Sequence, residues 1–567
     1  MIPCRLPFFH ALAVACWATA FPAPAATLVT HTEPDGTKLI GSSPFGNYPS
    51  WAFVPLDLEA LTPGKEVAEW RLDLTSGGYR EIQMKSPAVF EARPGATRGA
   101  VMLVKWSSLR HSYESSSLVV SRVGGGREFN SIGNDGNDMR TLTTFGTGKF
   151  PGTYMITENF NPAYAPLDWR GYCGFHRIFL TDDEWSALSP AARAAVLHWT
   201  RLGGNLVILR KSDGQTLSQM GIPQPDGGVR GGAVSHGTVA EGAYQASGGP
   251  VSWQDSVKRV QAEDVELARK DWVDRVLDGN TQSDWRREAP GMFEGSSGRR
   301  MSGLMVAVVL VFAIVAGPVN VFALASARRR HRLFFTTPLI SLVAGGMLVL
   351  AVILSDGLGG KGQRFVWLEN VPGENMSYVV QHQHSRCGAM FSTGFEIPEP
   401  AYFVPMVDVD SAQAGSFGVT VGADKVTATG PWFSSRREQG FFLSAARSGR
   451  GRIELGGAGG HPVLTSAFDF PLDRMYWLDK DGKTWWQAGA MAQGTATPLT
   501  ACSRDDVLKG LTEFTGNAPV EYRDKLASAI ERPGFFVAIA GKIAAIETHR
   551  GIRWQTHGIV TGPAVTP

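Results

Sequence analysis

The chain carries GLMVAVVLVFAIVAGPVNVFALA at Gly303–Ala325 and LFFTTPLISLVAGGMLVLAVIL at Leu333–Leu354, and these two stretches decide its fold. Neither contains Asp, Glu, Lys or Arg, and each has about the 20 residues with which a helix crosses ~30 Å of hydrocarbon. Arginines crowd the short spacer between them. The pattern predicts a transmembrane helical hairpin over residues 301–356, with a kink at Pro318, whose ring cannot continue the helical hydrogen bonding.

The N-terminus has the features of an export signal. Arg5 precedes the apolar run Leu6–Phe21, and Ala23-Pro24-Ala25 is a small-residue cleavage pattern. Together they predict a signal peptide over residues 1–26. The alternatives are an uncleaved anchor and a lipoprotein cleaved before Cys16.

An exported N-terminus fixes the expected topology. The first span then runs inward, the arginine-rich turn faces the cytoplasm and the second span returns, in agreement with the positive-inside rule. We therefore expect a protein of the cytoplasmic (inner) membrane. Both of its large regions would be extracytoplasmic, in the periplasm or the equivalent part of the cell envelope.

The overall composition resembles that of a soluble protein, with 43% hydrophobic and 19% charged residues in 567. A formal net charge of +2 without a concentrated basic face argues against nucleic-acid binding. Beyond the signal only Cys173, Cys387 and Cys502 remain, too few for a disulfide framework. Cys387 and Cys502 are the first candidates for a pair because both lie in the C-terminal region.

The predicted fold class is multidomain α/β plus β with the two-helix transmembrane hairpin. Residues 27–125 show short strands between Gly, Pro and Asp clusters, typical of a β-sandwich-like module. Residues 126–250 indicate a parallel α/β domain, and 251–300 an amphipathic helical juxtamembrane segment that packs on that domain or meets a membrane surface or partner. Residues 357–567 indicate a C-terminal β-rich α+β domain.

Local signals are specific in two places. Arg177–Leu180 reads as a buried strand that runs into the capping box Thr181-Asp182-Asp183-Glu184. Ser189-Pro190 opens a second helix, which Gly203-Gly204 ends before a further strand, and this order predicts a parallel sheet. In the C-terminal region, Tyr476–Trp486 predicts a hairpin that turns at its Asp-Gly pair.

The segment Ala194–Leu209, AAVLHWTRLGGNLVIL, resembles the helix–Gly-Gly–strand unit of domains related in fold to class I glutamine amidotransferases. Uncharacterised bacterial membrane proteins carry such domains outside the membrane, and Gly317-Pro318-Val319-Asn320 in the first span is also similar to that group. The resemblance implies the α/β fold of residues 126–250.

This chain departs from the amidotransferase pattern at the nucleophile. An active enzyme needs a cysteine on the strand-to-helix elbow, with a histidine and an acid nearby. Here Thr181-Asp182-Asp183-Glu184 occupies the elbow, and Cys173 precedes the strand instead of following it. The resemblance therefore implies a degenerate domain that has kept the fold and lost the chemistry.

Four residues are candidates for a catalytic site. Glu158 follows the predicted strand Thr153–Thr157, and Asp182 and Asp183 follow the next. Ligand sites of open α/β sheets gather at such carboxyl ends. Cys173 is the candidate nucleophile. The alternative for the carboxylates is helix capping.

Metal ligands are the second kind of candidate. His382 and His384, two apart on a strand, can face one ion, with Cys387 close by. The alternative is an exposed polar strand end. Asn134–Asp138 offers oxygen ligands for calcium but lacks the spacing of a known loop, which favours a plain turn.

The functional expectation is a membrane-anchored envelope protein that binds or scaffolds and is not an enzyme. Its expected partners are the lipid bilayer and other membrane or envelope proteins, with no nucleic acid and no cofactor. The sequence contains no phosphate-binding loop and no G-x-S-x-G elbow. The alternative is an envelope hydrolase or amidase that uses the residues at the carboxyl ends of the α/β strands.

Overall fold

The computed structural model describes residues 26–49, 51–77, 83–105, 115–132, 141–143, 148–149, 156–159, 161–175, 177–211, 215–223, 231–244, 298–324, 330–357, 359–406, 416–457, 462–515, 526 and 529–566. The signal peptide up to residue 25, Asn134–Asp138 and the amphipathic helix of residues 251–278 are predictions that lie outside the described residues.

The strands before the two apolar helices form two groups. The first group is β1 (Ala26–Thr32), β2 (Lys38–Ser43), β3 (Phe53–Thr62), β4 (Ala68–Gly77), β5 (Gln83–Ala92), β6 (Gly95–Val104), β7 (Ser115–Arg122) and β8 (Arg127–Ile132). The second group is β9 (Thr141–Thr143), β10 (Gly148–Lys149), β11 (Ile156–Asn159), β12 (Arg177–Thr181), β13 (Asn205–Lys211), β14 (Gly231–Val234) and β15 (Gly237–Tyr244). The helices among them are α1 (Asp182–Ala187), α2 (Pro190–Arg201) and the 3-10 turns Pro162–Tyr164 and Trp169–Tyr172.

Two apolar helices follow. They are α3 (Gly298–Ile314), which continues as the π-helical segment Val315–Leu324, and α4 (Leu333–Asp356), preceded by the 3-10 turn Arg330–Arg332.

Strands resume directly after α4. They are β16 (Gly360–Val371), β17 (Met376–Cys387), β18 (Phe395–Ile397), β19 (Ala401–Pro405), β20 (Ser416–Val421), β21 (Val426–Thr429), β22 (Glu438–Ser448), β23 (Ile453–Gly456), β24 (Val463–Ser466), β25 (Arg474–Leu478), β26 (Trp485–Ala488), β27 (Ala496–Pro498), β28 (Thr500–Cys502), β29 (Phe535–Ile539) and β30 (Ile552–Val565). The remaining helices are α5 (Arg504–Thr515) and the 3-10 turn Pro372–Glu374.

The first sheet combines strands that precede the two apolar helices with strands that follow them. Its 11 strands run β1-β2-β3-β6-β20-β5-β4-β7-β8, with β21 joined to β20 and β18 to β21. Strand β20 pairs parallel to β5 and antiparallel to β6, so residues 416–421 fill the centre of a sheet built mainly from residues 26–132. The sheet therefore extends past the predicted boundary at residue 125 and recruits strands from the region predicted as a separate domain over 357–567.

The two end strands of this sheet meet. The imidazole of His31 in β1 lies between two carboxylates, with Nε2 2.9 Å from Glu33 Oε1 and Nδ1 3.0 Å from Glu128 Oε2 in β8. Gly126 donates its backbone N–H to Glu33 at 2.7 Å. These polar contacts join β1 to β8, between which the described residues form no backbone ladder.

The second sheet has seven strands in the order β10-β11-β9-β12-β13-β15-β14. Its five central strands are parallel, and β10 and β14 are antiparallel edges. The parallel order is that of a doubly wound sheet whose chain direction switches between β9 and β12. The local predictions are confirmed: Thr181 and Glu184 form a capping box before α1, and Ser189 caps α2 with Pro190 at its first position.

The third sheet has 12 strands and centres on the long hairpin β16–β17. Strand β17 pairs antiparallel with β22, and β16 pairs parallel with β30. The hairpin predicted at Tyr476–Trp486 is confirmed as β25–β26, in which Leu478 faces Trp485 and Gly482 adopts a positive φ of 68°.

A single apolar core connects the sheets. Phe395 of the first sheet packs edge-on against Phe403 of the third at 5.5 Å between ring centroids. Phe45, after β2, packs against Phe175 beside the second sheet at 5.1 Å. Helix α2 buries Trp199 over Gly204, where even a Cβ atom would overlap the indole ring. The molecule is thus mostly β-sheet with few helices.

Both apolar helices are long and apolar enough to cross a membrane, over Val306–Ala323 and Arg330–Val349. Their side chains face outward, and Phe334 keeps 84% of its surface exposed. At Pro318 the chain forms a π-helical segment, in which the hydrogen-bond pattern adapts to the missing N–H. Asn320 lies fully buried against α4 and donates to Thr337 Oγ1 at 2.9 Å.

Candidate functional site

The carboxyl edge of the parallel sheet is the first candidate site, because β9 and β12 flank its switch point. Asp182 begins α1 directly after β12 and is buried, and its Oδ1 accepts the Asp183 N–H at 3.0 Å. Glu184 Oε2 accepts the Thr181 N–H at 2.8 Å. The acidic side chains at this elbow therefore satisfy backbone donors at the start of a helix.

Glu158 does not join this group. It is the third residue of β11, inside the strand instead of after it, and it aligns with Leu142 of β9. Leu142 in turn aligns with Ile178 of β12, four residues before Asp182. At ~3.3 Å per residue and ~4.8 Å between strands, the two backbones are roughly 13 Å apart along the strands and 10 Å across them. The structure thus separates Glu158 from Asp182.

Cys173 follows the 3-10 turn Trp169–Tyr172 in the apolar core. Its Sγ contacts the carbonyl oxygen of Trp169 at 3.8 Å. Burial raises the pKa of this thiol well above its usual range, and the Asp168 carboxylate raises it further. A buried neutral thiol is a poor nucleophile, so the geometry gives Cys173 the role of a core residue.

The histidine pair lies on β17 in the interior, which corrects the alternative of an exposed strand end. His382 and His384 share one strand face, and each is 3% exposed. Burial lowers the pKa of His384 to about 3, so its imidazole is neutral at physiological pH. The ring of His382 packs edge-on against Phe442 at 5.4 Å.

Cys387 lies an odd number of residues after both histidines, so its side chain is on the opposite face of β17 and makes a different contact. Its Sγ donates to Gln439 Oε1 at 3.1 Å, and burial raises the pKa of the thiol to about 12. Across the described part of the chain, no group of three His, Cys, Asp or Glu side chains is arranged to hold a metal ion. Cys173, Cys387 and Cys502 are all thiols, so the pairing of Cys387 with Cys502 is wrong.

A polar network that the sequence did not predict links α2 to the tip of the β16–β17 hairpin. Arg201 donates to the Glu374 carboxylate and, at 3.0 Å, to Ser235 Oγ. Tyr378 donates its hydroxyl to Glu374 Oε2 at 2.9 Å and lies under the Arg201 guanidinium. The same hydroxyl therefore accepts from His198 Nδ1, also at 2.9 Å. We call these residues the α2 latch.

The charge state of the latch follows from burial. Burial lowers the pKa of His198, which keeps the ring neutral, and raises the pKa of Tyr378, which keeps the phenol protonated. The charged groups of the latch are therefore the Arg201 guanidinium and the Glu374 carboxylate. No short sequence motif indicates the latch, because its residues are up to about 180 positions apart in the chain.

A cavity of about 450 Å³ opens beside α5, at the edge of the third sheet. The Tyr476 side chain forms part of its wall, with Arg474 and Lys509 nearby. Gly510 makes this arrangement possible, because a Cβ there would lie 2.0 Å from the Tyr476 hydroxyl. Asp506 also lines the cavity, and the hydroxyl and N–H of Ser503, which donate to its carboxylate, lower the pKa of that group. The cavity is of a size to admit a small polar molecule.

Comparisons with known proteins identify no relatives: no family model matches the chain, and no curated protein matches it. Among solved structures, a calcium-binding mutant of β-glucuronidase 2 from Bacteroides uniformis is similar over 30% of this chain, at 12% sequence identity and a TM-score of 0.12. The similar part spans 23% of that enzyme. A likeness this weak carries no argument about fold or function.

Proposed function

We propose that this chain is a membrane-anchored envelope protein whose extracytoplasmic body binds or scaffolds other envelope components without catalysing a reaction. The observation that carries the proposal is the position of β20. This strand follows the apolar hairpin in the chain, yet it pairs with β5 and β6, which precede the hairpin. Neighbouring strands of a sheet lie ~4.8 Å apart, so both flanks of the hairpin belong to one body.

The shared sheet on both flanks supports a hairpin whose two helices enter and leave the membrane on the same side. If the two helices cross a bilayer, the chain must return to the side from which it entered, because β20 has to reach β5. The Asn320–Thr337 hydrogen bond supports paired helices within the bilayer, where polar side chains join neighbouring helices. The outward-facing apolar side chains, such as Phe322 and Phe334, suit contact with lipid.

The orientation of the hairpin rests on charge and on the N-terminal signal. Arg330 and Arg332 lie in the turn between the helices and are exposed. Arginines in a short turn favour the cytoplasmic side. The sheets would then stand outside the cytoplasmic membrane, in agreement with the export signal over residues 1–26.

The absence of catalysis is supported by the state of the candidate residues. Cys173 is buried with a raised pKa, and Asp182 is buried at a helix start where it accepts a backbone N–H. A nucleophile and its base need exposure and mutual contact. The amidotransferase-like identity of residues 126–250 remains part of the proposal, and it rests on the resemblance of Ala194–Leu209.

Topology is tested with reporters that act only outside the cytoplasm. A reporter fused after residue 567 should be active, and the same reporter inserted within residues 325–329 should be inactive. The second fusion is the matched control, since it differs only in position. The reverse pattern would overturn the proposed orientation.

Binding is tested by cross-linking in intact cells, followed by purification from detergent-solubilised membranes. The full chain should recover specific envelope proteins, and a tagged hairpin of residues 301–356 alone should not. Recovery of the full chain by itself, at the mass of one copy, would contradict the scaffold role.

The hydrolase alternative makes a different demand. It requires release of soluble fragments from isolated envelope polymer by the purified chain, with loss of release in Asp182→Asn or Cys173→Ser. Release of fragments by wild type and not by these variants would replace the scaffold proposal with an enzyme.

A further inference from the structure

The loop of residues 388–394, here called the exit loop, lies where the chain leaves α4. Gly359 donates its N–H to the Ala389 carbonyl at 3.0 Å, and Ala389 donates to the Gly357 carbonyl at 3.0 Å. Gly388 donates to Gly359 at 2.7 Å. Since α4 ends at Asp356, these bonds fix the exit loop within a few residues of the helix end.

The other side of the exit loop is fixed as well. Met390 donates its N–H to Ser435 Oγ at 2.9 Å, and the Ser392 carbonyl lies 2.9 Å from His549 Nε2. Phe433 donates its N–H to the Thr393 carbonyl at 2.9 Å. The backbone of the loop is therefore held by Phe433, Ser435 and His549, which lie just before strands β22 and β30 of the third sheet.

Phe391 projects from the tip of this fixed loop. It is 93% exposed, more than Phe334 (84%) and Phe322 (81%), which lie on the apolar helices. An aromatic ring held in water by a rigid loop gains nothing for folding. Beside the end of a membrane helix, the same ring reaches the depth at which aromatic side chains collect in bilayers.

Cations surround the same end of the third sheet. Lys361 in β16 is the cross-strand neighbour of Arg386 in β17 and of Arg553 in β30. All three are exposed, and Glu438, opposite Arg386, is the acid of this row. Lys361 faces a like charge on both neighbouring strands, which is unfavourable within a sheet, and the Arg386–Glu438 pair offsets part of that repulsion. The row complements an anionic lipid surface, where basic side chains are attracted to headgroups.

We propose that the exit loop and the basic row of Lys361, Arg386 and Arg553 form a membrane-surface docking site that seats the third sheet on anionic phospholipid. Phe391 inserts its ring below the headgroups, and the three cations contact headgroup phosphates. The proposal rests on the proposed membrane anchoring, and it adds a second, peripheral attachment beside the helices.

The test measures the depth of single spin labels in the full-length chain reconstituted in nanodiscs of phosphatidylglycerol and phosphatidylcholine. Labels are placed in Phe391→Cys, in Leu342→Cys on α4, and in Gly373→Cys at the tip of the β16–β17 hairpin. Position 373 is the matched control, about 36 Å farther along β16 at ~3.3 Å per residue. The unsubstituted chain, treated with the same reagent, gives the background from the native thiols.

Depth is read from collisions with oxygen, which concentrates in lipid, and with a nickel complex, which stays in water. The logarithm of the oxygen-to-nickel ratio should be positive at positions 391 and 342 and negative at 373. In the variant with Lys361→Gln, Arg386→Gln and Arg553→Gln, the value at 391 should shift toward water. A similar shift should follow when phosphatidylcholine alone is used.

Each contrary result has a distinct meaning. A label in lipid at 342 but in water at 391 overturns the docking site and leaves the anchoring intact. A label at 391 hidden from both reagents indicates a protein contact and also overturns the docking site. A label in water at 342 overturns the anchoring on which the docking site rests. An unchanged depth at position 391 after substitution of the three cations would show that these cations do not bind anionic lipid, and would overturn that part of the proposal.

Discussion

The Gln381 side chain makes hydrogen bonds that a neighbouring strand would otherwise make to residues 543–549. Its substitution should destabilise that segment. Residues 543–549 belong to no strand. At their centre, Ile546 donates its N–H to Gln381 Oε1 at 2.8 Å, and its carbonyl accepts from Gln381 Nε2 at 2.9 Å. Both residues are fully buried. One glutamine amide thus supplies the two hydrogen bonds that a neighbouring strand would otherwise make.

Gln381→Leu leaves both Ile546 backbone groups buried without a partner. Each such group costs ~1–3 kcal/mol, and the apolar leucine offsets about 1 kcal/mol of the total. We expect a local loss of about 3 kcal/mol, which corresponds to roughly 100-fold faster hydrogen exchange at the Ile546 amide. Exchange measured by mass spectrometry on peptides from residues 541–550 reads this change directly, without requiring two-state unfolding of the whole chain.

The neighbouring glutamine provides the matched control. Gln383 donates to the Thr548 hydroxyl at 3.1 Å, and its Oε1 accepts from Gln381 Nε2, also at 3.1 Å, so its partners are side chains. Gln383→Leu combined with Thr548→Val removes one acceptor of the Gln381 amide but keeps both bonds to Ile546, so exchange at Ile546 should change much less than in Gln381→Leu. No second substitution can rescue Gln381→Leu, because its partner at Ile546 is backbone. Exchange at Ile546 within about twofold of wild type would refute the reasoning.

Three further outcomes are expected. His31 holds the pKa of Glu33 below its usual value, so the contact of β1 with β8 should be intact above pH ~4.3. It should weaken as the pH falls through the lower pKa that Glu33 has in the folded protein. Glu33→Gln should abolish this pH dependence, measured as the rate of proteolysis within β8. Arg201→Met removes the cation beside Glu374, which is partly exposed, and should lower the free energy of local opening of α2 by about 1 kcal/mol, measured by hydrogen exchange. No change would show that the latch does not stabilise α2. Asn320→Val should weaken the helix pair by about 0.6 kcal/mol in a steric-trapping assay, and a larger loss would indicate that Asn320 contacts a further partner.

Signals confined to a few neighbouring residues predicted structure well. The capping box at Thr181 and Glu184, the proline after Ser189 and the Asp-Gly turn at Gly482 each specify local backbone geometry, and each is present. The two apolar helices were equally predictable, because each is encoded by an uninterrupted run of about 20 residues that is almost free of charge.

The pairing of strands that are distant in the chain could not be predicted from the sequence. Ser416–Val421 alternates as a strand should, but nothing in it specifies β5 and β6 as neighbours. The polar run around His382 and His384 suggested ligands or an exposed edge, yet it is buried. The Gln381 amide in that run is satisfied by a segment 165 residues away, a distance at which local composition carries no information. The position of Glu158 inside β11, away from Asp182, was likewise set by strand register, which the sequence did not specify.

The insertion of β20 sets an order of events during biosynthesis. About 310 residues separate the end of β6 from the start of β20, and the two apolar helices lie between them. At ~5–20 residues per second, the nascent N-terminal half waits roughly 15–60 s for its missing neighbour. During that interval β5 and β6 expose amide edges that other nascent chains can capture. A premature stop inside the hairpin would therefore release a sheet that no later step can complete, and quality-control proteases would be expected to clear it.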